Sequence, residues 1–211
     1  MAKPGVTSRV GVPGTGEPDT RAALIAAAIE TLRVDGFARA SARAISARAE
    51  CNQGLVFYYF GSVSNLLLAA LDAVSADRLE RYGTAVAAAT SLTELVNVAA
   101  SIFGEDLDAG YAKVLVEMIA GASSTPGLGA EVVARIAPWT AFARDAIAGA
   151  NGTSALSSIV PAEELAYAVV ALYLGLEMLS HLDEDRANAL ALFRRASNLV
   201  TLFGALTEER A

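Results

Sequence analysis

The segment SARAISARAECNQGLVFYYFGSVSN, from Ser41 to Asn65, decides the fold of this chain. Its first part carries small or apolar residues at i, i+3, i+4 and i+7, which is the spacing of one narrow helix face. These residues are Ala42, Ile45, Ser46 and Ala49. The polar run from Glu50 to Asn52 then interrupts the pattern, and a second short apolar segment follows. The segment therefore predicts two short helices that meet at a tight turn.

Side chains that can cap helices mark where both helices begin. The Ser41 hydroxyl can accept a hydrogen bond from a free N–H group in the first turn of the first helix. Asn52 is the corresponding candidate for the second helix, which we expect to run from Gln53 to Tyr59. Two helices with such a turn form a helix-turn-helix, whose second helix enters the major groove of DNA. The segment accordingly predicts DNA binding.

The same part of the chain resembles the TetR family of bacterial transcriptional regulators. Four consecutive blocks match the order and spacing of that family without a gap: TRAALIAAAIETLRVDGF, ARASARAISARAE, CNQGLVFYYF and GSVSNLLLAAL, together Thr20 to Leu71. The resemblance implies an all-α fold with an N-terminal three-helix DNA-binding domain and a C-terminal helical domain for ligand binding and dimerisation. It also implies a homodimer that binds a palindromic operator in double-stranded DNA and responds to a small-molecule effector.

The composition agrees with an all-α protein of about nine helices. Hydrophobic residues make up 54% of the 211 residues, alanine is abundant and runs of β-branched residues are few. We divide the chain into a Gly- and Pro-rich tail at 1–18, a helix-turn-helix domain at 19–65 and a helical effector-binding and dimerisation domain at 66–211. The tail is expected to be disordered, with a minor-groove contact by Arg9 as the alternative. The helices expected after the helix-turn-helix are 62–89, 92–107, 109–123, 129–148, 162–182 and 184–206, with a polar loop at 151–154.

Charge and cysteine content narrow the class of protein. The formal net charge is −7, but residues 1–60 hold seven Lys/Arg and five Asp/Glu, so the N-terminal part is weakly positive. The single cysteine, Cys51, excludes an intramolecular disulfide, and the N-terminus shows no secretory signal. The longest uncharged run, Cys51 to Leu71, contains too many polar residues for a membrane span. We therefore expect a soluble, cytoplasmic protein.

The candidate DNA contacts lie on the two short helices and their turn. The Gln53 amide can pair with adenine through two hydrogen bonds, and the tyrosine hydroxyls can contact phosphates. The resemblance adds Arg43, which occupies a position that often touches DNA in the family. The predicted DNA-binding residues are Ser41, Arg43, Asn52, Gln53, Gly54, Leu55, Tyr58 and Tyr59.

Three positions depart from the usual family pattern. Leu55, Phe57 and Val63 stand where Thr, Tyr and Lys are common, so each change removes a hydrogen bond to DNA. Because phosphate contacts set the salt dependence of binding, we expect a shallower salt slope than is usual for such regulators. The remaining phosphate contacts would come from Arg21, Arg39, Arg43 and Arg48.

Aromatic and methionine residues on the later helices could line an effector pocket, although a plain core would contain the same residue types. The resemblance favours a small, mostly apolar effector, with carboxyl, imidazole and phenol groups as polar anchors. The predicted pocket residues are Phe103, Tyr111, Met118, Trp139, Phe142, Tyr167, Glu177, Met178 and His181.

We expect no cofactor, no metal site and no catalytic residues. His181 is the only histidine and has no partner ligands at metal-binding spacing. The sequence has no Gly-x-Ser-x-Gly nucleophile motif. Cys51 is interpreted as a small turn residue and not as a redox switch, because no Lys or His is placed to lower its pKa.

The last two expected helices carry apolar residues on more than one side, so they need a partner beyond their own domain. In the family, the last two helices form a four-helix dimer interface, and a two-fold dimer suits a palindromic operator. Full burial within a monomer is the alternative. The predicted interface residues are Leu172, Leu176, Leu179, Leu190, Phe193 and Leu199.

Together these features predict a TetR-like repressor that a small, largely apolar ligand releases from its operator by a population shift. An all-α dimeric interaction protein with a degenerate DNA-binding head and no effector is the alternative, supported by the changes at Leu55, Phe57 and Val63. A helical enzyme that uses His181 is a third hypothesis.

Overall fold

The computed structural model describes residues 17–150, 160–183 and 185–208. These residues form nine α-helices and a short 3-10 turn at Phe37–Arg39, and none of them lies in a β-strand. The helices are α1 (Glu17–Val34), α2 (Ala42–Arg48), α3 (Gly54–Phe60), α4 (Val63–Ala88), α5 (Leu92–Ala109), α6 (Tyr111–Ala122), α7 (Leu128–Gly149), α8 (Ala162–Asp183) and α9 (Ala187–Glu208). The predicted all-α fold class is confirmed.

Three predictions concern positions wholly or partly outside the described ranges: the tail at 1–18 with Arg9, the loop at 151–154, and a last helix that starts at Glu184. Of the predicted tail, Glu17 and Pro18 are described and belong to α1, which therefore begins two residues before the predicted boundary, since a proline is tolerated in the first turn of a helix. Within the described residues the last helix begins at Ala187 instead. The Asp185 carboxylate accepts a hydrogen bond from the Ala187 N–H at 2.8 Å, so a capping side chain sets the start of the helix.

Helix α1 supplies one wall of the N-terminal head, by which we mean α1 to α3 and the first turns of α4. Leu24, Ala28 and Leu32 are buried on one face of α1, as the sequence predicts. After α1, Gly36 has a φ of 80°, a left-handed conformation that costs glycine little. This turn brings Phe37 back across the head toward α6, where it packs on the core.

Capping hydroxyls and a small core define the helix-turn-helix. The Ser41 hydroxyl accepts from the Ala44 N–H at 3.2 Å, and the Ser62 hydroxyl accepts from the Asn65 N–H at 3.1 Å. Ile45 on α2 and Val56 and Phe60 on α3 are buried together against α1 and α4. The two short helices are therefore held by one apolar cluster, and the opposite face of α3 is left to solvent.

Helix α4 connects the head to the C-terminal bundle. The spacing from Leu66, Ala70 and Ala73 predicts that Asp77 lies on the inner face of α4. This prediction is wrong, because Asp77 lies at the surface and pairs with Arg81 at 2.6 Å. The inner face continues from Val74 to Arg78 and Tyr82, both of which are buried. An exposed ion pair keeps the Asp77 carboxylate hydrated, whereas the buried Arg78 needs acidic partners from other helices.

The remaining helices form a bundle around the second half of α4. Helix α8 packs mainly on α7, and α9 packs mainly on α5. Helix α6 contacts both α1 in the head and α8 in the bundle. The buried core runs without a break from Leu24 in α1 to Met118 in α6 and Val132 in α7. A change in the bundle can therefore reach the head through packed side chains.

Candidate nucleic-acid interface and ligand cavity

Helix α3 has one buried face and one exposed face. Val56 and Phe60 point into the head, whereas Gln53, at the start of the helix, and Tyr58 are exposed, the latter at 70%. Tyr59 is half-buried against the core, and its ring lies edge-on to Tyr58 at 4.9 Å. The exposed face thus presents an amide and a phenol, two groups that can form hydrogen bonds.

The turn before α3 is tightly built. The Asn52 side-chain oxygen accepts from the Gly54 N–H at 2.7 Å, and Glu50 has a left-handed φ of 52°. The helix begins at Gly54, one residue later than predicted, because Gln53 occupies the capping position and makes no side-chain capping bond. The Gln53 amide is therefore left for an external partner.

The arginines predicted to contact phosphates fall into two groups. Arg48 is exposed but tied to the head, where it donates to Thr31 Oγ1 at 2.7 Å and pairs with Asp35 at 3.1 Å. Arg39 and Arg43 are exposed, and Arg21 is exposed over the ring of Phe60 at 5.2 Å. All four arginines are therefore exposed, and Arg48 differs from the other three in being paired with Asp35.

Two more of the predicted DNA contacts have roles inside the head. The Ser41 hydroxyl caps α2, and Leu55 is partly buried against the core. Phe57 is 50% exposed, so an apolar ring occupies a position where the family usually has Tyr. Cys51 is partly buried in the turn, and burial raises the pKa of its thiol, which disfavours the reactive thiolate.

In the C-terminal bundle, a cavity of about 170 Å³ that is open on one side lies between α4, α5, α6, α7 and α8. Thirteen of its seventeen lining residues have hydrocarbon side chains, and the other four are Arg78, Tyr82, Trp139 and Tyr173. An apolar cavity of about 150 Å³ is large enough to hold benzene. The hydrocarbon lining residues are Val86, Leu95, Ala99, Ile102, Leu115, Ile136, Phe142, Ala143, Ala146, Ile147, Val169, Val170 and Leu174.

A buried polar cluster lies at the cavity wall. We call it the Asp106 cluster, and it consists of Arg78, Tyr82, Asp106, Tyr173 and Glu177. The Asp106 carboxylate accepts hydrogen bonds from Arg78 Nε at 3.0 Å, from Arg78 Nη2, from the Tyr82 hydroxyl at 2.8 Å and from the Tyr173 hydroxyl at 2.9 Å. The cluster joins α4, α5 and α8 through one carboxylate.

Burial and neighbouring charges shift the ionisation of the Asp106 cluster. Burial raises the pKa of Glu177 to about 8, although Arg78 Nη2 at 3.3 Å opposes the shift. Burial and the adjacent carboxylates raise the pKa of both Tyr82 and Tyr173, so their hydroxyls stay protonated and act as donors. Burial alone would lower the pKa of Arg78, but Glu177 and Asp106 reverse this and raise it, so the guanidinium stays charged.

Only some of the predicted pocket residues line this cavity. Trp139 and Phe142 do, with their rings edge-on at 6.0 Å. Phe103 lies behind Tyr173 at 5.5 Å, Glu177 lies in the Asp106 cluster, and Met118 is buried in the core shared with the head. Tyr111 bonds to Asp77 at the surface, Tyr167 is 69% exposed, and Met178 and His181 lie farther along α8, so none of these four is among the lining residues.

The sequence analysis missed Arg78, Tyr82 and Tyr173, although one signal was present. Val74, Arg78 and Tyr82 repeat at i, i+4 and i+8, so a charged and a hydroxylated residue follow the apolar face of α4 into the bundle. A charged residue on an apolar face needs a buried partner. That partner, Asp106, could not be identified from the sequence because its surroundings depend on how α4 and α5 pack.

Helix α6 links the cavity to the head. Leu115 lines the cavity, and two residues later Glu117 Oε2 accepts a hydrogen bond from the Phe37 N–H at 2.7 Å. One turn farther on, a Cβ added to Gly121 would lie 2.4 Å from the Phe37 ring. The absence of a side chain at Gly121 therefore allows the ring to pack directly on α6.

The outer faces of α8 and α9 carry exposed apolar side chains. Leu172 and Leu179 on α8 and Leu199 on α9 are each more than half exposed. Phe193 faces the other way and lies 5.3 Å from the Phe103 ring, and Leu176 and Leu190 are half-buried. Within the described ranges, no three His, Cys, Asp or Glu side chains are grouped as metal ligands would be.

Helix α8 also has the length and apolar composition of a membrane-crossing helix. The pair α3 and α4 would pass the same test together, but it is bent by 66°. Glu177 and Ser180 of α8 are buried against other helices of the bundle. One face of α8 thus packs within the bundle, while apolar side chains such as Leu172 and Leu179 remain exposed on the other.

Comparisons with known proteins agree with the helix-turn-helix geometry. The family model for bacterial regulatory proteins of the tetR family matches residues 24–70. No curated protein sequence matches the chain.

Solved structures of transcriptional regulators share the fold across nearly their whole length. A putative TetR-family regulator from Rhodococcus sp. is 19% identical, with a TM-score of 0.72 over 86% of this chain and 98% of that chain. The regulator FadR from Bacillus subtilis, solved in complex with stearoyl-CoA, is 14% identical, with a TM-score of 0.68 over 85% and 96%. A putative regulator from Saccharomonospora viridis in complex with choline is 16% identical, with a TM-score of 0.66 over 86% and 95%.

Proposed function

We propose that this chain, whose N-terminal domain belongs to the TetR family and whose fold is that of the family's transcriptional regulators, is a ligand-responsive repressor. It acts as a homodimer on a palindromic operator, and a small, largely apolar ligand releases it. The cytoplasm is the location that this function requires. The observation that carries the proposal is that α6 contacts the cavity through Leu115 and the head through Glu117.

The exposed face of α3 supports the DNA-reading part of this function. Gln53 can read adenine in the major groove, and Tyr58 can reach a phosphate or a thymine methyl group. Arg39 and Arg43 are exposed beside the helix-turn-helix and provide the positive charge that phosphates need. Because few other basic groups lie near the helix-turn-helix, we still expect the affinity for DNA to depend only weakly on salt concentration.

The apolar faces of α8 and α9 support the dimer. Leu172, Leu179 and Leu199 would be an aggregation risk on a monomer, and a two-fold contact would cover the same patch on both copies. A two-fold dimer also sets two α3 helices at the spacing that a palindrome requires.

Helix α6 supports the coupling between ligand and DNA. A ligand against Leu115 favours the position of α6 that best fits the filled cavity, and Phe37 follows through its hydrogen bond to Glu117 and its contact with Gly121. The head then moves relative to the head of the second protomer, and the distance between the two α3 helices no longer matches the operator.

One titration tests the function. The full chain is titrated onto labelled DNA from either side of its own gene and onto an unrelated duplex of equal length. A specific regulator should bind one of the flanking fragments roughly a thousandfold more tightly than the unrelated duplex. Equal, weak binding to every fragment would instead support the all-α interaction protein with a degenerate head, which the half-exposed Phe57 favours.

A further inference from the structure

The chemistry of the cavity wall restricts the charge of the ligand. The four lining residues with polar side-chain atoms already have partners within the protein. Arg78, Tyr82 and Tyr173 all donate to Asp106, and Trp139 Nε1 donates to Ser75 Oγ at 2.7 Å. Among the donors of these four side chains, only Arg78 Nη1 makes no hydrogen bond within the described part of the structure. A polar ligand group could add one bond there but would have to break an existing bond at any other donor.

An anionic ligand is disfavoured because its only counterion is already paired. Arg78 bonds to Asp106 through Nε and Nη2 and contacts Glu177 through Nη2. A ligand carboxylate that took both terminal nitrogens of Arg78 would displace Asp106 from Nη2 and leave a fully buried carboxylate without its partner. One that bound Nη1 alone would meet a guanidinium whose charge Asp106 already balances. The cluster also holds two carboxyl groups and one guanidinium, so it has no surplus positive charge.

A cationic ligand is disfavoured for a geometric reason. Neither Asp106 nor Glu177 lines the cavity, and both lie behind Arg78 and the tyrosines. The Arg78 guanidinium lies 4.6 Å from the centre of the Trp139 ring, so the protein's own cation already occupies one aromatic face. A positively charged ligand would meet this guanidinium before either carboxylate.

We propose that Asp106 determines ligand specificity: by holding Arg78, Tyr82 and Tyr173 it makes the cavity a site for a small uncharged ring compound and excludes ions of the same size. The size limit follows from the volume of about 170 Å³, and the preference for a ring follows from the aromatic walls of Trp139 and Phe142. This inference rests on the proposed function, because it assigns the ligand class of the same cavity.

Calorimetric titration of the full chain with toluene, benzoate and benzylammonium tests the proposal. These probes share one ring and differ in charge. Toluene should bind at least about tenfold more tightly than either ion. Benzoate or benzylammonium binding as tightly as toluene would overturn the proposal, and so would the failure of all three to bind.

Two variants locate the effect. Asp106→Asn should raise the affinity for benzoate about tenfold or more, because Arg78 is freed to bind the carboxylate, whereas toluene should change less. Asp108→Asn is the control, since Asp108 is an exposed carboxylate on the same helix that pairs with Arg186. Unchanged exclusion of benzoate in a folded Asp106→Asn variant would contradict the assigned role.

The test does not depend on that variant folding. Ala146→Phe should fill the cavity and abolish toluene binding, whereas Ala148→Phe, at an exposed position of the same helix, should not. Toluene binding that survives Ala146→Phe would place the probe elsewhere and overturn the proposal. Operator binding of the unaltered chain is measured in parallel. If the chain binds toluene but binds no flanking DNA fragment specifically, the result counts against the proposed function and not against the assigned ligand class.

Discussion

Glu117 Oε2 accepts a hydrogen bond from the Phe37 N–H at 2.7 Å, and this bond ties α6 to the turn between α1 and α2. Glu117→Ala leaves that partly buried N–H without its acceptor, so we expect the free energy of unfolding to fall by about 1 kcal/mol. We also expect the variant to bind its operator but to be released less completely by toluene. Urea titration and operator titration with and without toluene measure the two effects.

Glu105→Ala is the control for Glu117→Ala. Glu105 is an exposed glutamate on α5, so its removal changes the charge equally without touching the head. Full release of Glu117→Ala by toluene, equal to that of the unaltered chain, would show that this bond does not carry the coupling.

The contact between Gly121 and Phe37 gives a second prediction. A methyl group at Gly121 would lie 2.4 Å from the Phe37 ring, so Gly121→Ala must displace either the ring or α6. We expect a loss of about 1–3 kcal/mol in the free energy of unfolding.

Gly83→Ala is the matched comparison, because a Cβ there meets no atom within 4 Å. It should be neutral or stabilising by up to about 1 kcal/mol, the difference in helix propensity between Gly and Ala. The same change in the midpoint of urea unfolding for both variants would refute the close contact.

The exposed leucines of α8 and α9 predict the oligomeric state. The chain should sediment as a dimer, and the double variant Leu172→Glu, Leu199→Glu should sediment as a monomer, because buried charges without partners are costly at such an interface. Val133→Glu replaces an exposed apolar residue of α7 and should leave the dimer intact. A dimer that persists in the double variant would place the interface elsewhere.

Glu177 predicts a dependence of stability on pH. Burial raises its pKa in the folded chain to about 8, well above the ordinary value of a glutamate, so the folded state binds the proton more tightly than the unfolded state does. Stability should then fall as the pH rises through this interval, by an amount on the order of a few kcal/mol, and level off above about pH 8. The groups that face Glu177 are Arg78, Asp106 and Tyr173, and they are retained in the test variant.

Glu177→Gln removes the titrating proton and should flatten this part of the profile. Melting temperatures from about pH 5 to about pH 9 make the comparison. A decline as steep in the variant as in the unaltered chain would assign the pH dependence to other groups.

The sequence predicted the helices well because their signals are local. Ser41 caps the helix that follows it, as the sequence predicts, and the Asn52 side chain bonds in the turn before α3 where a cap was expected. The buried face of α1 likewise follows from its periodicity. These features depend on neighbouring residues in the chain, so a single sequence contains the information.

The cavity could not be predicted in the same way. Trp139 and Phe142 line it, but Phe103 and Met118, which look equivalent in sequence, are ordinary core residues. Which aromatic side chain faces a cavity depends on the packing of five helices. Asp77 could not be placed from the sequence either. Its helical spacing suggests the buried face of α4, but its ion pair with Arg81 lies at the surface.

The most direct test of the central claim is operator binding by the double variant Arg43→Ala, Gln53→Ala. Both side chains are exposed on the helix-turn-helix, and loss of a base or phosphate contact costs about 1–3 kcal/mol. Each single change should weaken binding to the flanking fragment about tenfold, and the double change about a hundredfold. Arg144→Ala, an exposed arginine of α7, should have no effect. Operator binding of the double variant equal to that of the unaltered chain would contradict the assignment of α3 as the DNA-reading helix.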